Sequence, residues 1–496
     1  MVSFTLMSFV SFSLKIVSLP KMLSRSRFLF ILISVVAFHV CNAAEDTRPN
    51  IVLVMADDQG WGQVGYYDHP LLKTPNLDAM AANGLRFDRF YAGAPVCSPT
   101  RASVLTGRAN DRTGVYQHGN ALRLQERPMP RAMQQAGYAT GHFGKWHLNG
   151  LRGPGVPILG DDKYHPGRYG YDYWLSVTNF FDMNPTLSRN GSFEEFKGDS
   201  SVIIVDEALE FMKRQTKADK PFFTTIWYGS PHSPMVSSDS DQKAFAHLDE
   251  SDRNHYGELV AMDRSIGNLR NGLRKLGIEK NTLVWFCSDN GGLKVKPESV
   301  NGLRGLKGTV YEGGLRVPAI IEWPSVIDEA AISKTPAGVV DMFPTVAAIV
   351  GLPKSAMLQP QDGQSLKGTI EGIIPKRRKK PLPFRFMDAG AMVDNQYKLV
   401  TQKLGSGEYE LYNLAKDPTE SKNVFGSRPE VAKRLVAVFE KWSKTVDASD
   451  EGKDYDEGHL TDPDPRRILW TDHPDYEPYF DEWKKRPEYQ QRLKDK

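Results

Sequence analysis

The chain has 496 residues, 40% of them hydrophobic and 25% charged, enough to bury a large core and to form more than one domain. Of its 63 basic and 60 acidic residues, four basic ones (Lys15, Lys21, Arg25 and Arg27) precede Glu45, which leaves 59 against 60 beyond it. That near-neutral body excludes bulk attraction to nucleic acid or to a membrane surface, and three cysteines exclude a disulfide scaffold.

Arg25 and Arg27 precede an apolar run over 28–40, and Cys41-Asn42-Ala43 closes it with small residues. Residues 1–43 therefore read as a secretory signal, too short for a stable membrane span, with Met22 as an alternative start that gives a more ordinary length. The expected location is secreted or periplasmic. Once the signal is removed only Cys97 and Cys287 remain. Neither has structural-zinc spacing, and one bridge between them stays open.

Residues 44–375 read as one α/β domain. The strand 50–55 ends in Ala56-Asp57-Asp58-Gln59-Gly60, and the carboxyl ends of strands are where such folds receive ligands. Thr74-Pro75 opens a helix to about Asn83, and a short strand over 86–91 leads to Pro95-Val96-Cys97-Ser98-Pro99-Thr100-Arg101. Here Ser98 is the expected N-cap, Pro99 the first helical residue and Gly107 the stop, giving a helix over 99–106. Cys97 would then lie just ahead of unpaired backbone N–H groups, with Arg101 one turn on. That setting suits an activated thiolate, or a charged oxygen beside an oxyanionic substrate; a small buried loop cysteine is the plain alternative.

A strand over 138–143 ends in Gly144-Lys145-Trp146-His147, and in an extended segment Lys145 and His147 point the same way. Residues 149–195, rich in Gly, Pro, Tyr and Asn, read as an irregular, substrate-facing region. A helix over 201–214, a buried strand over 222–228 ahead of Ser230-Pro231-His232, a helix over 256–276 and a strand over 282–287 ahead of Ser288-Asp289-Asn290 follow. Lys307 lies in the glycine-bounded Arg304-Gly305-Leu306-Lys307-Gly308. The alternation predicts a mostly parallel sheet sandwiched by helices. Residues 376–383, with Lys376-Arg377-Arg378-Lys379-Lys380 between prolines, read as a solvated basic linker. Residues 384–446 form a smaller subdomain of antiparallel sheet plus a helix with Val431, Leu435, Val438, Phe439 and Trp442 on its apolar face. The acidic, aromatic tail 447–496 wraps over the body.

Asp57, Asp58, Asp289 and Asn290 are hard oxygen donors that suit Ca²⁺, or less well Mg²⁺, and not zinc. A divalent ion with three aspartates leaves one excess negative charge. Arg101, Lys145 and Lys307 turn it positive, which suits a transferred oxyanion such as sulfate or phosphate.

Cys97-Ser98-Pro99-Thr100-Arg101, with Leu105-Thr106-Gly107-Arg108 after it, resembles the Cys-x-Pro-Ser/Thr-Arg signature of type I sulfatases, of the arylsulfatase-like alkaline phosphatase superfamily. Gly137-Tyr138-Ala139-Thr140 through Gly144-Lys145-Trp146-His147 is similar to their second signature. Asp57-Asp58, Ser230-Pro231-His232, Asp289-Asn290-Gly291-Gly292, Lys307 before Glu312-Gly313-Gly314, and Glu410-Leu411-Tyr412-Asn413-Leu414 match in order, over about residues 48–445.

The resemblance implies an alkaline-phosphatase-like fold in which Cys97 is converted by a maturation enzyme to formylglycine (3-oxoalanine). One hydroxyl of the aldehyde hydrate attacks sulfur; the other drives collapse of the sulfated intermediate, a step plain cysteine could not perform. It implies Ca²⁺ on Asp57, Asp58, Asp289, Asn290 and the modified Cys97, with Arg101 holding the diol and Lys145 and Lys307 the sulfate oxygens. His232 would protonate the leaving oxygen, and His147 would take the proton from the second hydroxyl. Ser176 and Asn179 both qualify for a further polar sulfate contact. The competing readings are a phosphonate monoester or phosphodiester hydrolase of the same superfamily, and a secreted glycan-binding relative without catalysis. Secretion and the aromatic, polar loops around Asn149, Trp174, Phe180 and Tyr228 favour a sulfated carbohydrate as substrate. Asn190-Gly191-Ser192 is a glycosylation sequon.

Overall fold

Asn50–Ala56 offers no polar face, and as strand β1 it is buried on both sides. Its side chains alternate: Ile51, Leu53 and Met55 enter one hydrophobic cluster and Val52, Val54 and Ala56 another, on the opposite side of the sheet. The structure, a computed structural model, describes residues 48–179, 182–494 and 496; the expected signal segment 1–43, with Met22 and Cys41, and Phe180 lie outside the described residues.

After β1 come α1 (Cys97–Thr106), β2 (Ala139–Lys145), β3 (Leu151–Arg152), β4 (Tyr173–Val177), α2 (Ser200–Lys217), β5 (Phe222–Trp227), α3 (Glu250–Leu276), β6 (Thr282–Ser288) and β7 (Ala319–Glu322). Strands β6, β1, β5, β2 and β4 lie side by side and parallel at the centre of a ten-stranded sheet. Antiparallel pairings flank it, β7 and Leu85–Phe87 on one side and Thr186–Arg189 and Ser192–Glu195 on the other, and Ala331–Ser333 pairs parallel with Leu85–Phe87 at the edge. Helices α2 and α3 cover one face through Ile204, Phe211, Leu259 and Met262. Ala102 and Leu105 of α1, with Phe343 and Val346 of Met342–Val350, cover the other. This is the expected helix-sheet-helix arrangement.

A meander of β8 (Leu382–Phe386), β9 (Ala389–Asp394), β10 (Tyr397–Thr401) and β11 (Glu410–Asn413) forms a separate antiparallel sheet. Helix α4 (Pro429–Asp450) packs on it through Ala432, Leu435 and Phe439. The tail then returns to the main body: β12 (Ile468–Leu469) pairs parallel with β3, and Trp470, Tyr476, Phe480 and Trp483 pack with Leu151, Val156 and Leu159.

Several details depart from the sequence reading. The stretch 86–91 is two short strands in two sheets, because Leu85–Phe87 joins the main sheet while Phe90–Tyr91 pairs with Arg316–Val317. Residues 149–195 are less irregular than expected: β4 sits inside the main sheet, and a hairpin extends it. Val438 is 37% exposed and falls outside the apolar face of α4, which runs four residues past 446. Arg378 is not solvated linker. It is buried and holds Asp341 with both guanidinium nitrogens, at 2.6 and 2.7 Å, so this part of the basic run is pinned to the main body. Cys97 and Cys287 are both free thiols, which closes the option of a bridge.

Candidate active site

The register of the parallel strands brings the expected residues together. Ala56 of β1 lies opposite Ser288 of β6, so Asp57-Asp58 and Asp289-Asn290 emerge side by side. On the other flank Met55 lies opposite Trp227, and Trp227 opposite Gly144, so the loop carrying His232 and the end of β2 carrying Lys145 leave the sheet next in line. Gly144 is required for that contact: at φ +102°, a Cβ there would sit 2.0 Å from the carbonyl oxygen of Trp227.

Helix α1 presents its amino end to this row. Cys97 is its first residue, preceded by extended Val96 with no side-chain cap, and Gly107 ends it in a left-handed conformation. Ser98 is therefore not the N-cap. Its hydroxyl donates to the carbonyl of His147 at 2.6 Å and accepts from Gly119 N–H at 2.8 Å, which fastens two neighbouring loops to the residue beside Cys97. The Thr100 hydroxyl accepts from the N–H groups of Gly93 and Ala94 and fixes the approach to the helix.

One ligand atom each from Asp57, Asp58, Cys97 and His232 falls within 4.8 Å of all the others. The Lys145 ammonium contacts Asp57, and that of Lys307 lies 2.7 Å from Asp58 Oδ2 and 3.7 Å from Cys97 Sγ. Arg101 binds Asp289 at 2.7 Å, and Asn290 donates to Asp58 at 2.7 Å. His147 does not continue the strand. Its φ is +54°, and neither ring nitrogen has a hydrogen-bond partner among the described residues. His232 Nδ1 donates to the Ser233 carbonyl at 2.6 Å, which turns Nε2 toward Asp58, 3.7 Å away. Every expected site residue thus lies in one cluster, His147 through its Ser98 anchor. Ser176 is buried with its hydroxyl unpartnered among the described residues, while Asn179 donates to Gly153; the two stay undistinguished.

The electrostatics argue against an activated thiol. Burial outweighs the ammonium groups of Lys145 and Lys307 and pushes the Cys97 thiol up to about 12. Burial alone would raise Asp57 too, but Lys145, His232 and Arg101 hold it well below the usual carboxylate range. Burial and then Lys145, Arg101 and the other histidines keep His147 neutral. His232 is lowered to about 4, by burial first and then by Lys307.

The donor set fits a hard cation. Asp57 Oδ1 and Asn290 Oδ1 are buried oxygens without a hydrogen-bond donor among the described residues. Burial and the like charge of Asp57 push Asp289 up to about 7 in spite of Arg101, a crowding of carboxylates that a divalent ion relieves.

The aromatic surroundings differ from expectation. Trp174 and Tyr228 are core residues, 3% and 0% exposed, and Asn149 is buried against Asp162. None offers a stacking face to a sugar. The anchoring roles of Ser98 and of the Gln117-His118-Gly119 turn are not readable in the sequence, since the Ser98 position before Pro99 has the form of a helix cap and the turn carries no strand-end or motif signal.

The model of the family described as "Sulfatase" matches residues 49–352, and that described as "N-sulphoglucosamine sulphohydrolase, C-terminal" matches 306–445. The chain belongs to the sulfatase family. This sulfatase is 37% identical over 342 residues to N-acetylgalactosamine-6-sulfatase of Sus scrofa, a match over 61% of this chain and 62% of that protein. It therefore spans under two thirds of that relative's length. It is 31% identical over 456 residues to arylsulfatase A of Homo sapiens, covering 78% of this chain and 86% of that one. Among solved structures it is similar to Ps i-CgsB, with TM-score 0.72 and 26% identity over 80% of this chain and 93% of that chain. The fold is that of the alkaline-phosphatase-like sulfatases. The tail from 446 to the end lies beyond both family matches.

Proposed function

We propose that the protein hydrolyses sulfate monoesters of a carbohydrate, with Cys97 matured to formylglycine and Ca²⁺ beside it, outside the cytoplasm. The observation that carries this reading is the convergence of Cys97, the Asp57-Asp58 pair, Lys145 and Lys307 within one buried cluster at adjacent strand ends. A thiol pushed up to about 12 is a poor nucleophile, which favours a modified side chain over cysteine itself. The names of the relatives support a sulfated sugar as substrate class. Among the described residues no helix is long and apolar enough to cross a membrane.

Asp57, Asp58, Asp289 and Asn290 would hold the Ca²⁺, which supplies positive charge to the sulfate and its developing oxyanion. The matured Cys97 supplies the hydroxyl nucleophile and a second hydroxyl for release of sulfate. Lys145 and Lys307 orient the anionic oxygens and exclude a neutral ester. His232 Nε2 faces the cluster and delivers a proton to the leaving oxygen; an anionic substrate beside the ring opposes the lowering that Lys307 imposes. His147, neutral and with unfilled ring nitrogens, takes up a proton. Arg101 holds Asp289 in place.

A phosphonate or phosphodiester hydrolase would use a cluster of the same sign, so the test compares the sulfate and phosphate esters of one alcohol. The higher kcat/KM is expected with the sulfate. Preference for the phosphate would overturn the reading.

A further inference from the structure

The segment that leaves His147 runs through Leu148-Asn149-Gly150 into β3, which ends on Arg152. Parallel to β3 lies β12 of the tail, and the residue just ahead of β12 is Arg467. Its guanidinium donates to the His118 carbonyl at 3.0 Å and lies 3.5 Å from His118 Nε2. The His118 ring in turn lies 6.5 Å from that of His147. Gly119, next in the chain, is tied to Ser98 beside Cys97, and a Cβ on it would come within 3.2 Å of the Arg152 side chain. Two arginines and a histidine therefore sit along a short path from the nucleophile position.

Neither arginine has an ion-pair partner among the described residues, and the buried Arg152 Nε has no hydrogen-bond partner among them. This contrasts with the other arginines that meet the tail. Arg108 binds Asp454, Arg123 binds Asp450 and Asp464, and Arg127 binds Asp456. Those pairs hold the tail in place. Arg152 and Arg467 are instead two like charges flanking one short strand pairing, in which Leu469 lies opposite Arg152, and Arg467 is lowered by burial first and then by Arg152. Arg467 contacts His118, which is lowered to about 4 by burial first and then by Arg467, Lys307, Lys145 and Arg152. The field from this rim and the field from the sulfate-holding lysines overlap at that ring. Holding two unpaired guanidinium groups together costs stability, and a bound anion offsets it.

We propose that Arg152 and Arg467, at the junction of β3 with the tail strand, form a second anion subsite that selects sugars carrying a further sulfate or carboxylate beside the ester to be cleaved. The inference rests on the sulfate-ester reading and deepens it. It makes the tail a specificity element: Arg467 immediately precedes β12, whose Leu469 pairs with Arg152 at the end of the segment that leaves His147.

The test uses the full chain with Cys97→Ala, which keeps the sugar intact, and calorimetric binding of a disulfated disaccharide and its monosulfated counterpart. The expected result is tighter binding of the disulfated sugar, with Arg152→Gln and Arg467→Gln together weakening it by about tenfold or more and the monosulfated sugar by no more than about twofold. Equal weakening of both sugars, or no change in either, would overturn the proposal. If Arg467→Gln loosens the tail, Arg152→Gln alone reads the same ratio, because Arg152 lies outside the tail and its Nε has no hydrogen-bond partner among the described residues. Free sulfate released from the same two disaccharides by the matured, unsubstituted protein reports separately on the sulfate-ester reading. Its absence with the binding ratio intact would remove that reading and leave the anion subsite supported.

Discussion

At the scale of single residues, the burial of Cys97 decides how it can act. A thiol that burial pushes up to about 12 contributes almost no thiolate near neutrality, so the protein should be inert until Cys97 is changed. Cys97→Ser is close in size and supplies one hydroxyl where the aldehyde hydrate would have two, and should fold with an unaltered melting temperature. Its turnover of a sulfate ester should fall by about three orders of magnitude or more, since serine supplies no second hydroxyl for release. The orphaned oxygens of Asp57 and Asn290 make a second claim. Ca²⁺ at a hundred times its dissociation constant should stabilise the protein by about 2.7 kcal/mol, seen as a rise in melting temperature that chelation reverses. Asn290→Ala should weaken Ca²⁺ by at least about tenfold in calorimetry.

At the scale of elements, the site depends on how α1 is tied to its neighbours. Ser98→Ala removes the hydrogen bonds to His147 and Gly119 in a buried place and should cost about 1–3 kcal/mol. Denaturant unfolding reads the cost. A fall in kcat beyond the loss of folded protein would show that His147 has moved. The tail is held by Trp470, 1% exposed among Leu151, Tyr476 and Trp483. Trp470→Ala should cost about 3–5 kcal/mol and open the chain beyond α4 to limited proteolysis.

These elements also show how far the sequence could be read. The strand ends were legible because short apolar runs stop abruptly at Asp57, Lys145 and Asp289, and alternation with helices makes neighbours of parallel strands. Ser98 was misplaced because a serine before Pro99 has the form of a cap, while its hydroxyl is claimed by two loops distant in sequence. Trp174 looked like a ligand platform because the Gly- and Pro-rich stretch around it hides β4, whose inner face it fills. Arg378 carried no mark distinguishing it from its basic neighbours; only its partner Asp341, far along the chain, makes it a core residue. Arg467 is brought to the Arg152 end of β3 by a two-residue strand pairing, Ile468 with Leu151 and Leu469 with Arg152, that no periodicity can announce.

At the scale of the whole molecule, stability is linked to pH through buried histidines. His69 accepts the N–H groups of Leu71 and Leu72 on Nδ1, at 3.2 and 2.8 Å, and burial with Lys73 lowers it to about 4. Its folded value lies below its unfolded one, so its contribution is complete above about pH 6.5 and is lost as pH falls toward 4. His69→Asn offers an oxygen to the same N–H groups and cannot be protonated. The unfolding free energy read from denaturant curves should therefore fall less for the variant between pH 6.5 and 4, by at most about 3 kcal/mol. Parallel curves would contradict the assignment.

The cluster at the carboxyl ends of β1, β2, β5 and β6 is the part of the molecule on which the account stands, and sulfate release tests it most directly. The measurement is free sulfate produced from a sulfated sugar by protein made together with a formylglycine-generating enzyme, alongside Cys97→Ser made in the same way. The account predicts many turnovers for the first and none above background for the second. Equal release by the two proteins, or no release by either while a phosphate ester of the same sugar is hydrolysed, would contradict it.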